Sequence, residues 1–140
     1  MPVAPLRILL VDDQPESLRV LGLLLRRCGH DVREAGTVGD AVRLALDAAP
    51  DVLLSDLELP DGDGCELLRR VRAAIPSVRG IALSGHSGEA YEARCREAGF
   101  EALLVKGTRF ERILEAVQGR PRQSLGGVPS PSRMQLDCVI

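Results

Sequence analysis

Short runs rich in Leu, Ile and Val recur along the chain, and most lead into stretches where apolar residues return every three or four positions. "LRILLV" (6–11) reads as a first strand. The segment after it places Pro15 in a first turn, Leu18, Leu21 and Leu25 on one helical face, and Gly29 as a stop. "DVREA" (31–35) is a weaker strand, after which Thr37 caps a helix carrying Ala41, Leu44, Ala45 and Ala48 and closed by Pro50. "DVLLS" (51–55) is the third strand, and Leu67, Leu68, Val71 and Ile75 mark the helix after it. "RGIALS" (79–84) predicts a fourth strand, then a thin helix over 88–98 facing inward through Ala90, Ala93 and Ala98. "ALLV" (102–105) is the fifth strand. Thr108 and Glu111 have the spacing of a capping box at the head of a last helix that buries Phe110, Ile113, Leu114 and Val117.

Strands that alternate with helices imply a parallel sheet covered on both faces, because right-handed crossovers lay each helix over the sheet. Apolar runs without strict alternation agree, since such strands are buried on both sides. The predicted fold is therefore α/β: a flavodoxin-like, doubly wound (βα)5 arrangement over residues 1–118, with a five-stranded parallel sheet. In such a sheet ligands bind at the carboxyl ends of the strands, near the switch in strand order. After Gly119 the periodicity stops, and the Gly-, Pro- and Ser-rich residues 119–140 read as a flexible tail too short for an effector domain.

Composition narrows the function classes. With 140 residues, 45% hydrophobic and 27% charged, the chain has the make-up of a single globular domain. Its longest strongly apolar stretch, "VLGLLL" (20–25), is far too short to cross a bilayer, and "MPVAPLR" lacks the features of a secretory signal. Cys28, Cys65, Cys95 and Cys138 are scattered, without a C-x-x-C pair, which points to reduced thiols and a cytoplasmic location. Cys65 and Cys95 are expected to pack within helices. The net charge of −2 divides into +2 over residues 119–140 (Arg120, Arg122 and Arg133 against Asp137) and −4 elsewhere. With Tyr91, Phe100 and Phe110 as the only aromatics, neither a nucleic-acid surface nor a membrane partner is indicated.

The chemistry lies at the ends of the central strands. Asp12 and Asp13 come after the first, Asp56 after the third, Ser84 after the fourth and Lys106 after the fifth. The predicted sheet puts all five at one edge. Carboxylates a few Å apart repel each other by ~4 kcal/mol per pair at an effective dielectric of about 20, so they either hold protons or recruit a divalent cation. Oxygen donors in an incomplete cage suit Mg²⁺, which retains water and shares phosphate oxygens with a protein. Lys106 adds a mobile cation and Ser84 a hydroxyl donor, and together these serve a phosphoryl group arriving on a carboxylate nucleophile, best placed at Asp56. A flavin phosphate would be repelled by Asp12 and Asp13. A phosphatase of the haloacid-dehalogenase type would need D-x-D after its first strand, where this chain has "DDQP".

Through "ILLVDD", "DVLLSDLELPDGDG", "IALSG" and "AGFEALLVKG", in that order across roughly residues 5–118, the sequence resembles the receiver domain of bacterial two-component response regulators. The resemblance implies a signalling module rather than an enzyme. Asp56 would accept a phosphoryl group from a histidine kinase or a histidine phosphotransfer protein, and the module would then change its affinity for an output protein that the sequence does not name. It further implies Mg²⁺ held by Asp12, Asp13, Asp56 and the backbone carbonyl of Glu58, with Ser84 and Lys106 contacting the phosphate. Glu58 and His86, two positions beyond Asp56 and Ser84, would tune the rate of phosphate loss. "RGIALSGHSGEAYEARCREAGFEALLVKG" looks most like receivers attached to hybrid histidine kinases. Two positions depart from the family pattern. Leu103 stands where an aromatic switch residue is common, and Gly107 stands where proline usually follows the lysine, so a trans Lys106–Gly107 bond is expected. These departures motivate an alternative, a receiver-like docking module that works without phosphorylation.

Overall fold

The computed structural model describes residues 4–119. In chain order its strands are β1 (Arg7–Val11), β2 (Asp31–Ala35), β3 (Val52–Asp56), β4 (Glu58–Leu59), β5 (Gly62–Asp63), β6 (Arg79–Ser84) and β7 (Ala102–Val105). Five of them form one parallel sheet in the order β2-β1-β3-β6-β7. The two-residue strands β4 and β5 pair antiparallel just beyond the acidic end of β3. The helices are α1 (Pro15–Arg27), α2 (Val38–Asp47), α3 (Gly64–Ala74), α4 (Glu89–Ala98) and α5 (Phe110–Gln118). The direction of winding reverses at β1, whose two neighbours are β2 and β3, so the switch point lies between β1 and β3.

Side-chain alternation along the strands divides the core in two. Leu9, Val11, Leu53 and Ala82 point to the face covered by α2, α3 and α4, where they meet Ala41, Ala45, Leu67, Leu68, Val71 and Cys95. Ile8, Leu10, Leu54, Ile81 and Leu83 point to the other face, against Leu25 of α1 and Ile113, Leu114 and Val117 of α5. Each fully buried Leu or Ile contributes about 1.5–3 kcal/mol relative to exposure, and the central strands are buried on both sides. This is why β1 and β3 read as continuous apolar runs.

Three details differ from the sequence-based expectations. The third strand runs one residue further and takes Asp56 into the sheet, where it pairs with Leu83. Helix α4 does not face inward through Ala90, which is exposed; Tyr91, Cys95 and Ala98 turn to the core instead, one helical stripe at i, i+4 and i+7. The capping box at Thr108 does not form. Thr108 is still inside a turn, its N–H donating to Val105 O at 3.0 Å, so α5 begins a residue later behind Arg109, without a side-chain cap. Thr37 does cap α2, accepting from Asp40 N at 3.1 Å. The expectation about residues 120–140 lies outside the described residues, and among those described no helix is long and apolar enough to cross a membrane.

Candidate functional site

The carboxyl ends of β1, β3, β6 and β7 converge as the topology requires. Asp12, just beyond β1, and Asp56, the last residue of β3, are only 3% and 7% exposed, while Asp13 beside them is exposed. One carboxylate oxygen of each lies within 4.8 Å of the others. Lys106, after β7, reaches across them: its Nζ lies 3.0 Å from Asp56 Oδ2 and 3.1 Å from Asp12 Oδ2. It is also the single lysine of the chain, among 18 basic residues. A flexible stem ending in a compact charge can serve two carboxylates at once, which a rigid guanidinium fork does less readily.

The remaining bonds aim the groups. Asp12 Oδ1 accepts the Gln14 N–H at 3.0 Å, which fixes the carboxylate at the head of α1. Asp56 Oδ1 takes a long 3.4 Å bond from the Glu58 N–H, so this oxygen keeps lone pairs for further chemistry. Burial raises the Asp56 pKa, opposed by the hydrogen bond and charge of Lys106 and reinforced by the charge of Asp12. For Lys106, burial acts to lower the pKa, but the bonds to Asp56 and Asp12 outweigh it and the net shift is upward. The ammonium therefore stays charged, standing as counter-ion in a cluster that would otherwise repel itself.

Ser84 ends β6 and is buried. Its carbonyl accepts the Lys106 N–H at 2.7 Å, tying the two strand ends together, while its Oγ accepts the His86 N–H at 2.9 Å. The structure thus brings Asp12, Asp13, Asp56 and Lys106 into one cluster and sets Ser84 at its edge, with the hydroxyl engaged by the adjoining loop. Glu58 and His86 are exposed at the rim. Leu103 packs half-buried against the core on the α4 side. The Lys106–Gly107 bond is trans like all others among the described residues, and Gly107 takes φ +95°, a conformation that favours glycine.

Two acidic residues to which the sequence alone assigns no part have structural ones. Asp61, on the turn between β4 and β5, accepts the N–H groups of Val38 at 2.7 Å and Gly39 at 3.1 Å, bonds that lower its pKa. Asp63 caps α3 by accepting from Glu66 N at 2.9 Å. The acidic run after β3 therefore separates into one buried site residue, a rim residue and two anchors for the loop. A weak signal for Asp63 was present in D-x-x-E before the helix at 64, whereas that for Asp61 depends on α2 lying alongside.

Gly64 closes this arrangement. A Cβ there would sit 2.5 Å from Asp56 O and 3.2 Å from Leu57 Cα, so α3 can begin this close to the end of β3 only with glycine. We expect Gly64→Ala to destabilise the fold by about 1–2 kcal/mol and to displace Asp56. Urea unfolding, with amide shifts of Asp56 and Leu57 followed by NMR, would check both effects.

The donor set fits a hard divalent cation. It offers carboxylate oxygens, two of them on buried side chains and one facing solvent, which leaves room for retained water.

Comparison with known proteins agrees with this geometry. The family model described as the response regulator receiver domain matches residues 8–118. The chain is 31% identical over 121 residues to the transcriptional regulatory protein TrcR of Mycobacterium tuberculosis, covering 86% of this chain and 47% of that protein. It is 36% identical over 111 residues to the gliding motility regulatory protein of Myxococcus xanthus, covering 78% of this chain and 14% of that protein. It therefore spans less than half of either relative. Among solved structures, a CheY-like response regulator receiver domain protein from Methanospirillum hungatei superimposes with a TM-score of 0.77 at 27% identity, over 82% of this chain and 92% of that one.

Proposed function

Because the chain belongs to the response regulator receiver domain family, we propose that it is the phosphoacceptor module of a two-component phosphorelay, taking a phosphoryl group on Asp56. The observation that carries this reading is Lys106 bridging Asp56 and Asp12 at 3.0 and 3.1 Å beside an exposed Asp13. That cluster has one nucleophilic oxygen lightly held, one mobile cation and three oxygen ligands for a metal.

In the proposed reaction, Asp56 Oδ1 attacks the phosphorus of a phosphohistidine on a histidine kinase or histidine phosphotransfer protein. A P–O bond forms, the P–N bond breaks, and the departing imidazole keeps the electron pair and takes a proton from water. Mg²⁺, held by Asp12, Asp13, Asp56 and the Glu58 carbonyl, would neutralise charge on the phosphoryl oxygens. Lys106 turns from its carboxylate partners to one of those oxygens, and the Ser84 hydroxyl donates to another. Glu58 and His86 at the rim set how easily water reaches the acyl phosphate. The phosphoryl donor has a natural approach. A groove of about 410 Å³ between α1 and α5, lined by Val20, Leu21, Leu24, Phe110 and Ile113, opens beside Asp12 and Lys106. Val20 and Leu23 are 58% and 53% exposed on α1. The module would work in the cytoplasm, as a signalling element rather than an enzyme, and pass its state to an output protein.

The alternative, a docking module independent of phosphorylation, rests on Leu103 and Gly107. The reach of Lys106 to both carboxylates speaks against it, since the glycine after it leaves the lysine in place. Beryllofluoride with Mg²⁺ separates the readings, because the adduct needs Asp56, the metal and Lys106 together. We expect saturable binding, seen as a protein-bound fluorine NMR signal that disappears on chelating Mg²⁺. No bound signal at saturating reagent would favour the docking module.

A further inference from the structure

The head of α2 takes its hydrogen-bond partners from two places. The first N–H groups of any helix lack partners within it. Thr37 supplies the local ones: its Oγ accepts the Asp40 N–H at 3.1 Å and its carbonyl accepts the Ala41 N–H at 3.1 Å. The N–H groups of Val38 and Gly39 are met from outside the helix. Asp61, 23 residues beyond Val38, accepts the first on Oδ1 at 2.7 Å and the second on Oδ2 at 3.1 Å. Both oxygens of one carboxylate are therefore engaged at this helix head, in bonds strengthened by its charge.

The segment that carries Asp61 has little else to hold it. Strands β4 and β5 pair only Glu58 with Asp63 and Leu59 with Gly62, and a hairpin this short is not stable by itself. Glu58, Pro60, Asp61 and Gly62 are exposed, and Leu59 is half-buried against the core. Two carboxylates pin the hairpin to helix heads, Asp63 to α3 and Asp61 to α2. Turn and helix lie close, since a Cβ on Gly62 would come 3.2 Å from Val38 Cγ2. The first hairpin residue is Glu58, whose N–H donates to Asp56 Oδ1 at 3.4 Å and whose carbonyl is the one backbone ligand in the proposed metal set.

We propose that Asp61 is a positioning residue for the metal site: its grip on the head of α2 holds the β4–β5 hairpin, and with it the Glu58 peptide, where the carbonyl can serve the cation. This role rests on the acceptor reading, which supplies the cation. Thr37 already caps α2 locally, so the remote carboxylate adds a fixed distance between helix and hairpin. Groups that orient a metal ligand without touching the metal are typically worth 10- to 100-fold in affinity. Asp61, acting at the far end of a short hairpin, belongs at the lower end of that range.

Mg²⁺ titrations of the full-length protein, followed by backbone amide shifts, give Kd, and urea unfolding in chelator gives stability on the same samples. Asp61→Ala should raise the Mg²⁺ Kd about tenfold, and Asp61→Asn, which keeps one acceptor oxygen, should fall between it and wild type. Thr37→Ala removes the local cap of the same helix and should lower stability while leaving Kd within about twofold. Asp40→Asn removes a charge from the same helix head without touching the hairpin, and its Kd should also stay within about twofold at physiological salt. Wild-type affinity in both Asp61 variants would overturn the role. So would an equal loss in Thr37→Ala, which would trace the effect to α2 stability, or in Asp40→Asn, which would trace it to charge alone. A wild type that binds no Mg²⁺ would instead remove the metal site, and the acceptor reading with it.

Discussion

Replacing Asp56 by Asn is expected to make the metal-free protein more stable and, at the same time, to remove its response to Mg²⁺. The sign comes from burial. A carboxylate whose folded pKa lies above its unfolded value adds stability below the unfolded pKa and loses that advantage as pH rises through the folded pKa. Burial raises the Asp56 pKa despite Lys106, so at neutral pH its ionised form is a net cost to the fold. Asn keeps the shape, removes one of three clustered charges, and leaves Lys106 its bond to Asp12 at 3.1 Å. A gain in stability is therefore expected, visible as a higher Tm. Adding Mg²⁺ should reverse the ranking. A metal bound only by the folded state stabilises it by about 2.7 kcal/mol at a hundredfold excess over Kd, and the variant loses one of its ligands. Thermal melts of both proteins with Mg²⁺ and with chelator would test this; parallel Mg²⁺ responses would remove Asp56 from the metal site.

The opposite change, Lys106→Met, is expected to destabilise the metal-free protein by about 2–3 kcal/mol, less than the roughly 3–5 kcal/mol typical of breaking a buried ion pair. The lower figure reflects a lysine side chain that remains 27% exposed and so is partly screened. The two carboxylates it bridges are left facing each other with Asp13 nearby. Mg²⁺ should restore most of the lost stability, and so should the second substitution Asp56→Asn, because each removes the uncompensated charge. A double-mutant cycle by urea unfolding measures this coupling. Additive effects would mean that Lys106 acts through its stem, by packing, rather than through its charge.

Much of the framework was legible in the sequence for one physical reason. β1, β3 and β6 are buried on both faces, so their apolar runs suit central parallel strands and little else. Once they lie parallel, the residues after them must meet at one edge. Asp12, Asp13, Asp56 and Lys106 meet there. The less legible parts depend on neighbours far along the chain. Hydrophobicity alone favoured Ala90 for the inner face of α4, but the contact with α3 selects the Tyr91 stripe. The two-residue strands β4 and β5 are too short to show any period, and the grip of Asp61 on Val38 and Gly39 needs α2 beside it. Thr108 had the right spacing for a cap, yet the turn through Gly107 uses its N–H first. Lys106 carried a further signal in its identity, the single lysine standing where every other basic residue is arginine.

The most direct test of phosphoryl transfer to Asp56 is chemical. The protein is incubated with Mg²⁺ and a small phosphodonor such as acetyl phosphate and its intact mass recorded promptly, with Asp56→Asn treated in parallel. One phosphoryl group is expected on the wild type, lost on chelating Mg²⁺ beforehand, and none on the variant. An unmodified wild type, or equal labelling of Asp56→Asn, would contradict the assignment of Asp56 as acceptor.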